Sequence, residues 1–346
     1  MDQSGEQVQR GRWFKLVSRG AMVRLLVLAA ILAGAGVYMM WMPGQSHRGP
    51  LPELTTEQAE LRDRLAEHVR ALAEGIGERN MNAEGSLAEA AAYVSDAFRE
   101  VGYTPERHTY SVDGESVENI IAEVPGTDTP ERIVVVAAHY DTVPGSPGAN
   151  DNASGVAALI ELARHFQDRP QPVTLRFISF VNEEPPFFQT EDMGSYQYAR
   201  DMARRGDDII AMMSMDGIGY YDESASSQQY PVGAIGWVYP SEGDFLAFVG
   251  RTRDAGLVRE AVGAFRASAA FPSQGAALPG AIAGVGWSDH WAFWQHGYPG
   301  FMVTDTLPFR DPHYHGPGDT AERLDYNRMA RVVTGLAGVV EAMARR

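Results

Sequence analysis

The sequence predicts an α/β fold: a three-layer α-β-α sandwich around a mostly parallel mixed sheet, with a transmembrane helix ahead of it. Three observations carry this. Apolar, β-branched runs at 132–138 (RIVVVAA), 173–181 (VTLRFISFV) and 209–215 (IIAMMSM) alternate with helical stretches near 153–167 and 194–205. Strands that are apolar throughout and separated by helices belong to a sheet covered on both faces. Residues 25–42 (LLVLAAILAGAGVYMMWM) are uncharged and approach the length that crosses a bilayer. Each apolar run also ends in acidic or imidazole side chains, the pattern of a site at the carboxyl ends of a parallel sheet.

Taken in chain order, a basic segment over 1–24, with Arg10, Arg12, Lys15, Arg19 and Arg24, precedes the apolar run. Cationic residues on that flank favour a cytoplasmic N-terminus, a signal anchor over 25–42 and export of the remainder. A cleaved signal peptide, with Ala33 and Ala35 as its small-residue site, is the alternative. A linker rich in Pro and Gly spans 43–54 and a globular domain spans 55–346. Thr55 and Thr56 open an amphipathic helix to about 72, and a second helix from about 87 to 101 stops at Gly102. Strand candidates follow at 104–111 and 117–124, before the alternating core begins. A last strand, 300–304 (GFMVT), and a helix over 327–344 close the sandwich.

Composition narrows the chemistry. With 346 residues, 45% of them hydrophobic, the chain buries a full core. A net charge of −16 and an isoelectric point near 5.0 exclude a nucleic-acid partner and suit metals or amines. With no Cys there is neither a disulfide framework nor a thiolate site, so a metal must be held by His and carboxylates.

Those residues follow the strands. The first run leads into His139 and Asp141, the second into Glu183 and Glu184, the third into Asp216. Asp151 sits in a Gly- and Asn-rich loop at 144–155 that can aim one carboxylate back at the strand ends. His313 and His315 lie in a loop before the last helix.

The ordered motifs HYD, NDNASG, NEE, MDGIG, SDHWAF and HGPGDT, over about residues 60–345, resemble those of the dizinc exopeptidases. This is metallopeptidase family twenty-eight, with secreted bacterial aminopeptidases, glutamate carboxypeptidase and glutaminyl cyclase. The resemblance implies a phosphorylase/hydrolase-like zinc exopeptidase domain and two Zn2+ ions. His139 and Asp216 would hold one ion, Glu184 and His315 the other, and Asp151 would bridge them. His315 is preferred to His313 because the ligand His stands four residues before an Asp-Thr pair, here Asp319 and Thr320. Glu183 matches the general base and Asp141 the carboxylate that orients His139. A cis peptide between Asp151 and Asn152 is also implied. The implied activity is peptide hydrolysis, most simply as an aminopeptidase. Carboxypeptidase or dipeptidase specificity, glutaminyl cyclisation and a non-catalytic relative are the alternatives.

Two places depart from the pattern. An insert, 185–192 (PPFFQTED), follows the Glu pair, where Phe187 and Phe188 could line a pocket or pack beneath the loop. Val285, Gly286 and Trp287 stand where relatives place a Tyr near the SDH motif, so no oxyanion donor is assigned. Asp289 and His290 are read as pocket or supporting residues, not ligands.

Overall fold

A computed structural model describes residues 19–346. Arg10, Arg12 and Lys15 of the basic flank lie outside the described residues. Helix α1 (Arg19–Met40) forms one unit and Trp41–Arg346 forms a second. Within α1, the 21 residues Gly20–Met40 are apolar enough to cross a membrane. At 1.5 Å per residue they extend about 31 Å, close to the thickness of a bilayer's hydrocarbon core.

In the second unit, α2 (Thr56–Arg70) starts at a reciprocal cap. The Gln58 amide donates to Thr55 Oγ1 and the Thr55 amide to the Gln58 side chain, both at 3.2 Å. Helix α3 (Ser86–Val101) ends at Gly102, whose φ of 113° turns the chain away. Strands β1 (Glu106–Val112) and β2 (Glu115–Val124) form a hairpin across Asp113-Gly114. The alternating core follows as β3 (Thr129–His139), α4 (Gly155–Phe166), β4 (Val173–Phe180), α5 (Gly194–Arg205) and β5 (Asp208–Met215). Then come β6 (Leu246–Arg251), α6 (Ala255–Ser268), β7 (Ser273–Leu278), α7 (His290–Gln295), β8 (Gly300–Thr304) and α8 (Tyr326–Met343). Neither β6, α6, β7 nor α7 was anticipated from the sequence.

Among the described residues the eight strands form one mixed sheet in the order β1-β2-β4-β3-β5-β8-β6-β7. The central neighbours β4, β3, β5 and β8 run parallel, as do β6 and β7; the pairs β1/β2, β2/β4 and β6/β8 are antiparallel. Strand period splits β3 between two cores. Val134, Val136 and Ala138 join α2, α3, α4, α6 and α8 on one face; Ile133, Val135 and Ala137 join α5 and α7 on the other. With both faces covered, the carboxyl ends of β3, β4 and β5 are where polar side chains can gather.

Candidate metal centre

His139 is the last residue of β3, Glu183 and Glu184 follow β4, and Asp216 follows β5. Asp151 lies in the turn Ala149–Ser154 between β3 and α4, where its backbone and that of Asn152 are non-helical (φ −110° and −136°), and the peptide joining the two is cis. His315 arrives on the loop after β8 with φ of 58°. These five distant segments meet in one buried cluster. His139, Asp151, Glu183, Glu184 and Asp216 are each at most 4% exposed, and His315 is half-buried.

The side chains sort into two triads that share one carboxylate. His139 Nε2 stands 3.3 Å from Asp151 Oδ1 and 3.4 Å from Asp216 Oδ1. His315 Nε2 stands 3.2 Å from Asp151 Oδ2 and 3.0 Å from Glu184 Oε2. Thus the two oxygens of Asp151 face opposite ways, one to each triad. Within each triad one ligating atom per residue lies within 4.8 Å of the others. His313 is in neither triad; its amide donates to Asp311.

This donor set suits zinc. Two ligands about 2.0–2.1 Å from a tetrahedral ion lie about 3.4 Å apart, close to the 3.3 and 3.4 Å from His139 to its carboxylates and slightly more than the 3.2 and 3.0 Å from His315 to its own. His139 Nε2, Asp216 Oδ1, Glu184 Oε1, Glu183 Oε1 and His315 Nε2 are buried without hydrogen-bond partners. Such orphaned polar atoms are costly unless something else occupies their lone pairs. The electrostatics agree. Burial, reinforced by Asp151, pushes Glu184 up to about 8. Burial likewise raises Glu183 well above the usual carboxylate range, with Asp216 and Glu184 adding to it. Burial pulls the His315 imidazolium down, but Asp151 and Glu184 outweigh it and raise the group to about 10. His139 behaves in the same way, raised by Asp216, Asp141 and Asp151 against its burial. Asp216 is raised by burial too, so Glu183, Glu184, Asp216 and both imidazoles hold protons more tightly than usual. Asp151 is the exception: burial would raise it, but His139 and His315 outweigh that and hold it below the usual carboxylate range. The raised groups around it mark an excess of negative charge that a divalent cation would offset.

Supporting groups fix the site. His139 turns Nδ1 to the Asp141 carbonyl at 3.2 Å and to its carboxylate at 3.5 Å. The same carboxylate accepts from the amides of Glu183 and Glu184, both at 3.1 Å, tying the end of β3 to the exit of β4. The Asn-rich turn is bolted to the exit of β5: Asn152 donates to the Met215 carbonyl and accepts from the Gly217 amide, while Asn150 accepts from the Gly219 amide. A Cβ on Gly155 would come within 2.3 Å of the Asn152 side chain and 2.7 Å of the Met215 carbonyl, so the turn closes only on glycine.

Three supporting residues were not identified from sequence. Asp319 accepts from the amides of Asn150 (2.7 Å) and Asp151 (3.0 Å), holding the shared carboxylate's backbone. Asp305 accepts from Asn150 Nδ2 and the Tyr220 amide. Fully buried Arg79 donates to the carbonyls of Leu72, Gly77, Tyr140, Pro147 and Gly148. Burial lowers its pKa to about 10, so it stays cationic near Asp141, Asp319, Asp151 and Glu184. Asp319 was legible only as a marker of register, and a lone loop Arg carries no sequence signal.

Asp289 is wholly buried and pushed to about 7 by that burial, with Asp216 and Asp141 nearby. His290 donates toward the Val285 carbonyl at 2.8 Å and is lowered to about 4 by burial, which keeps it neutral. In the 185–192 insert Phe187 packs against the larger core, and the Pro185-Pro186 peptide is cis. Tyr314 stacks on the His315 ring at 3.7 Å between centroids. It also lines an apolar cavity of about 110 Å³ formed by one face of β6, β7 and β8 beneath Ile235, Tyr239, Trp287 and Phe309.

Comparison with known proteins follows the same lines. A sequence model described as Peptidase family M28 matches residues 119–340. The chain is 36% identical over 282 residues to "Uncharacterized protein YfbL" of Escherichia coli (strain K12), covering 79% of this chain and 86% of that protein. It is 25% identical over 310 residues to a "Probable leucine aminopeptidase" of Arthroderma benhamiae, covering 83% of this chain and 77% of the relative. In three dimensions it resembles BSAP, a zinc aminopeptidase from Bacillus subtilis, with a TM-score of 0.63 at 15% identity over 81% of this chain and 94% of the other.

Proposed function

The chain belongs to peptidase family M28, a zinc-dependent metallopeptidase acting on peptides, and on that premise we propose that it is a dinuclear exopeptidase of the aminopeptidase type. The observation that carries this is Asp151, whose two carboxylate oxygens each complete a separate His-carboxylate triad. His139 and Asp216 would hold one ion and Glu184 and His315 the other, with Asp151 offering an oxygen to each. When bound, the two zinc ions polarise the scissile carbonyl and acidify water enough for its deprotonation near neutral pH.

The chain's own residues manage the protons. Glu183, 4.0 Å from His139 Nε2, takes the proton of the attacking water as its oxygen adds to the carbonyl carbon. It then gives that proton to the departing nitrogen as the C–N bond breaks, so one carboxyl serves as base and then acid. Asp141 holds the Glu183 amide and the His139 ring, keeping base and ligand in register. Specificity for an amino terminus is supported by the relatives named as aminopeptidases. The apolar cavity beside Tyr314 suits a leucine- or phenyl-sized side chain; an engineered apolar cavity of about 150 Å³ takes benzene. Two complete triads disfavour single-zinc glutaminyl cyclisation.

Helix α1 is read as an uncleaved anchor that holds the catalytic body outside the cytoplasm, supported by its length and by the basic residues before it. The testing experiment is a panel of aminoacyl and N-blocked peptides, assayed with and without a chelator. Free-amine substrates with a large apolar first residue should be cleaved, blocked ones spared, and chelation should abolish turnover. Chelator-insensitive hydrolysis would refute the metal mechanism, and preference for blocked peptides would refute aminopeptidase specificity.

A further inference from the structure

The loop 228–241 (QQYPVGAIGWVYPS) has no charged residue, and three of its large apolar side chains are exposed. Trp237 is 88% exposed, Val238 60% and Val232 45%. A tryptophan held so far out gains nothing from the fold, and a cluster of this kind marks a contact surface.

The edge on which this loop sits is also where the catalytic body begins. Tyr239, at the loop's end, donates its hydroxyl to the Gly275 carbonyl of β7 at 2.7 Å. Met42 packs against that same glycine from the α6 side: a Cβ on Gly275 would lie 2.9 Å from its thioether and 2.7 Å from Val262. The adjoining chain is tied down as well. Arg266 on α6 donates to the carbonyls of Pro43 and Gly44 at 2.9 and 3.2 Å, and the Ser273 amide donates to Ser46 Oγ at 2.9 Å. Residues 42–46 are therefore fastened to the β7 edge, and in the sequence only Trp41 lies between Met42 and Met40, the last residue of the apolar helix.

We propose that loop 231–239, led by Trp237, is a second membrane contact that seats this edge in the lipid headgroup region. This rests on the reading of α1 as a membrane anchor. On that reading the chain leaves the bilayer near Met40 and is bonded to β7 by residues 42–46, a separation of a few residues that limits how far this edge can stand from the lipid, and the loop carrying the exposed Trp and Val residues is bonded to the same strand through Tyr239. Tryptophan is favoured at the membrane-water boundary, and an uncharged loop enters it without stripping water from an ion. The chain's net charge of −16 makes the contact apolar rather than a capture of anionic lipid. Since Ile235 and Tyr239 also line the cavity next to Tyr314, docking the loop brings the substrate entrance close to the lipid surface.

The chain has no cysteine, so Trp237→Cys and, beside α5, Glu191→Cys each create a unique labelling site in the full-length protein. Each variant, carrying an environment-sensitive fluorophore, is reconstituted into phosphatidylcholine vesicles with or without doxyl-labelled lipid. The label at 237 should shift to the blue, be quenched by doxyl lipid and resist aqueous iodide, while the label at 191 behaves in the opposite way. Vesicle-bound protein whose 237 label is as open to iodide as the 191 label would overturn the proposal. So would a 237 label shielded by a second copy, seen as disulfide cross-linking of unlabelled Trp237→Cys without lipid quenching. Failure of both variants to float with vesicles would remove the anchor itself, and the inference with it; that outcome is separable from a failed loop contact.

Discussion

At the carboxyl ends of β3, β4 and β5 almost every functional side chain is buried, polar and held by another polar group. Across β6, β7 and β8 the sheet instead faces an apolar cavity and a loop that leaves Trp237 in water. One half holds its side chains through hydrogen bonds to backbone; the other offers shape and apolar area. Rate and metal binding should therefore respond to single-atom changes in the first half, and substrate choice to changes of volume in the second.

The largest expected effect tests the proton carrier. Glu183→Gln keeps the shape and removes the titratable oxygen, so kcat should fall by about 10²- to 10⁴-fold with zinc content unchanged by elemental analysis. Next is the buried cation beneath the cluster. Arg79→Met strands five carbonyls and removes a positive charge near four carboxylates, and should lower stability by about 3–5 kcal/mol in denaturant titration. A loss below about 1 kcal/mol would mean the polar half is not held as described. Asp319→Asn weakens the grip on the Asn150 and Asp151 amides without touching a donor atom. Metal affinity, measured by competition with a chromogenic chelator, should fall about 10- to 100-fold, as for other residues that orient metal ligands. The smallest effect belongs to the apolar half: Ala276→Leu, filling part of the cavity, should raise KM for Leu- and Phe-terminal substrates by about tenfold and spare Ala-terminal ones. Equal loss on all substrates would sever the cavity from specificity.

The two halves also differed in how much their sequence disclosed. Strands β3, β4, β5 and β8 are buried along most of their length and so appear as mainly apolar runs, and β3, β4 and β5 lead directly into polar residues of the site. Strands β6 and β7 were missed: LAFVGR and SQGAAL contain glycine and polar residues, and β7 is an edge strand with one side on the cavity. Helix α6 did carry a signal, in the spacing of Leu257, Val258, Ala261, Val262 and Phe265. The residues of both triads stood in motifs with fixed order. Asp319 and Arg79 act through backbone amides and carbonyls far away in the chain, a role that no local pattern encodes. The loop 231–239 reads as an ordinary Gly- and Pro-containing connection, and its exposure becomes visible only when the sheet edge beneath it is in place.

The measurement that bears most directly on Asp151 as a shared ligand is anomalous X-ray scattering at the zinc edge from crystals of the metal-loaded enzyme. Two peaks are expected, one between His139 and Asp216 and the other between Glu184 and His315, with an Asp151 oxygen on each. A single peak, or a pair from which Asp151 stands apart, would contradict the dinuclear site.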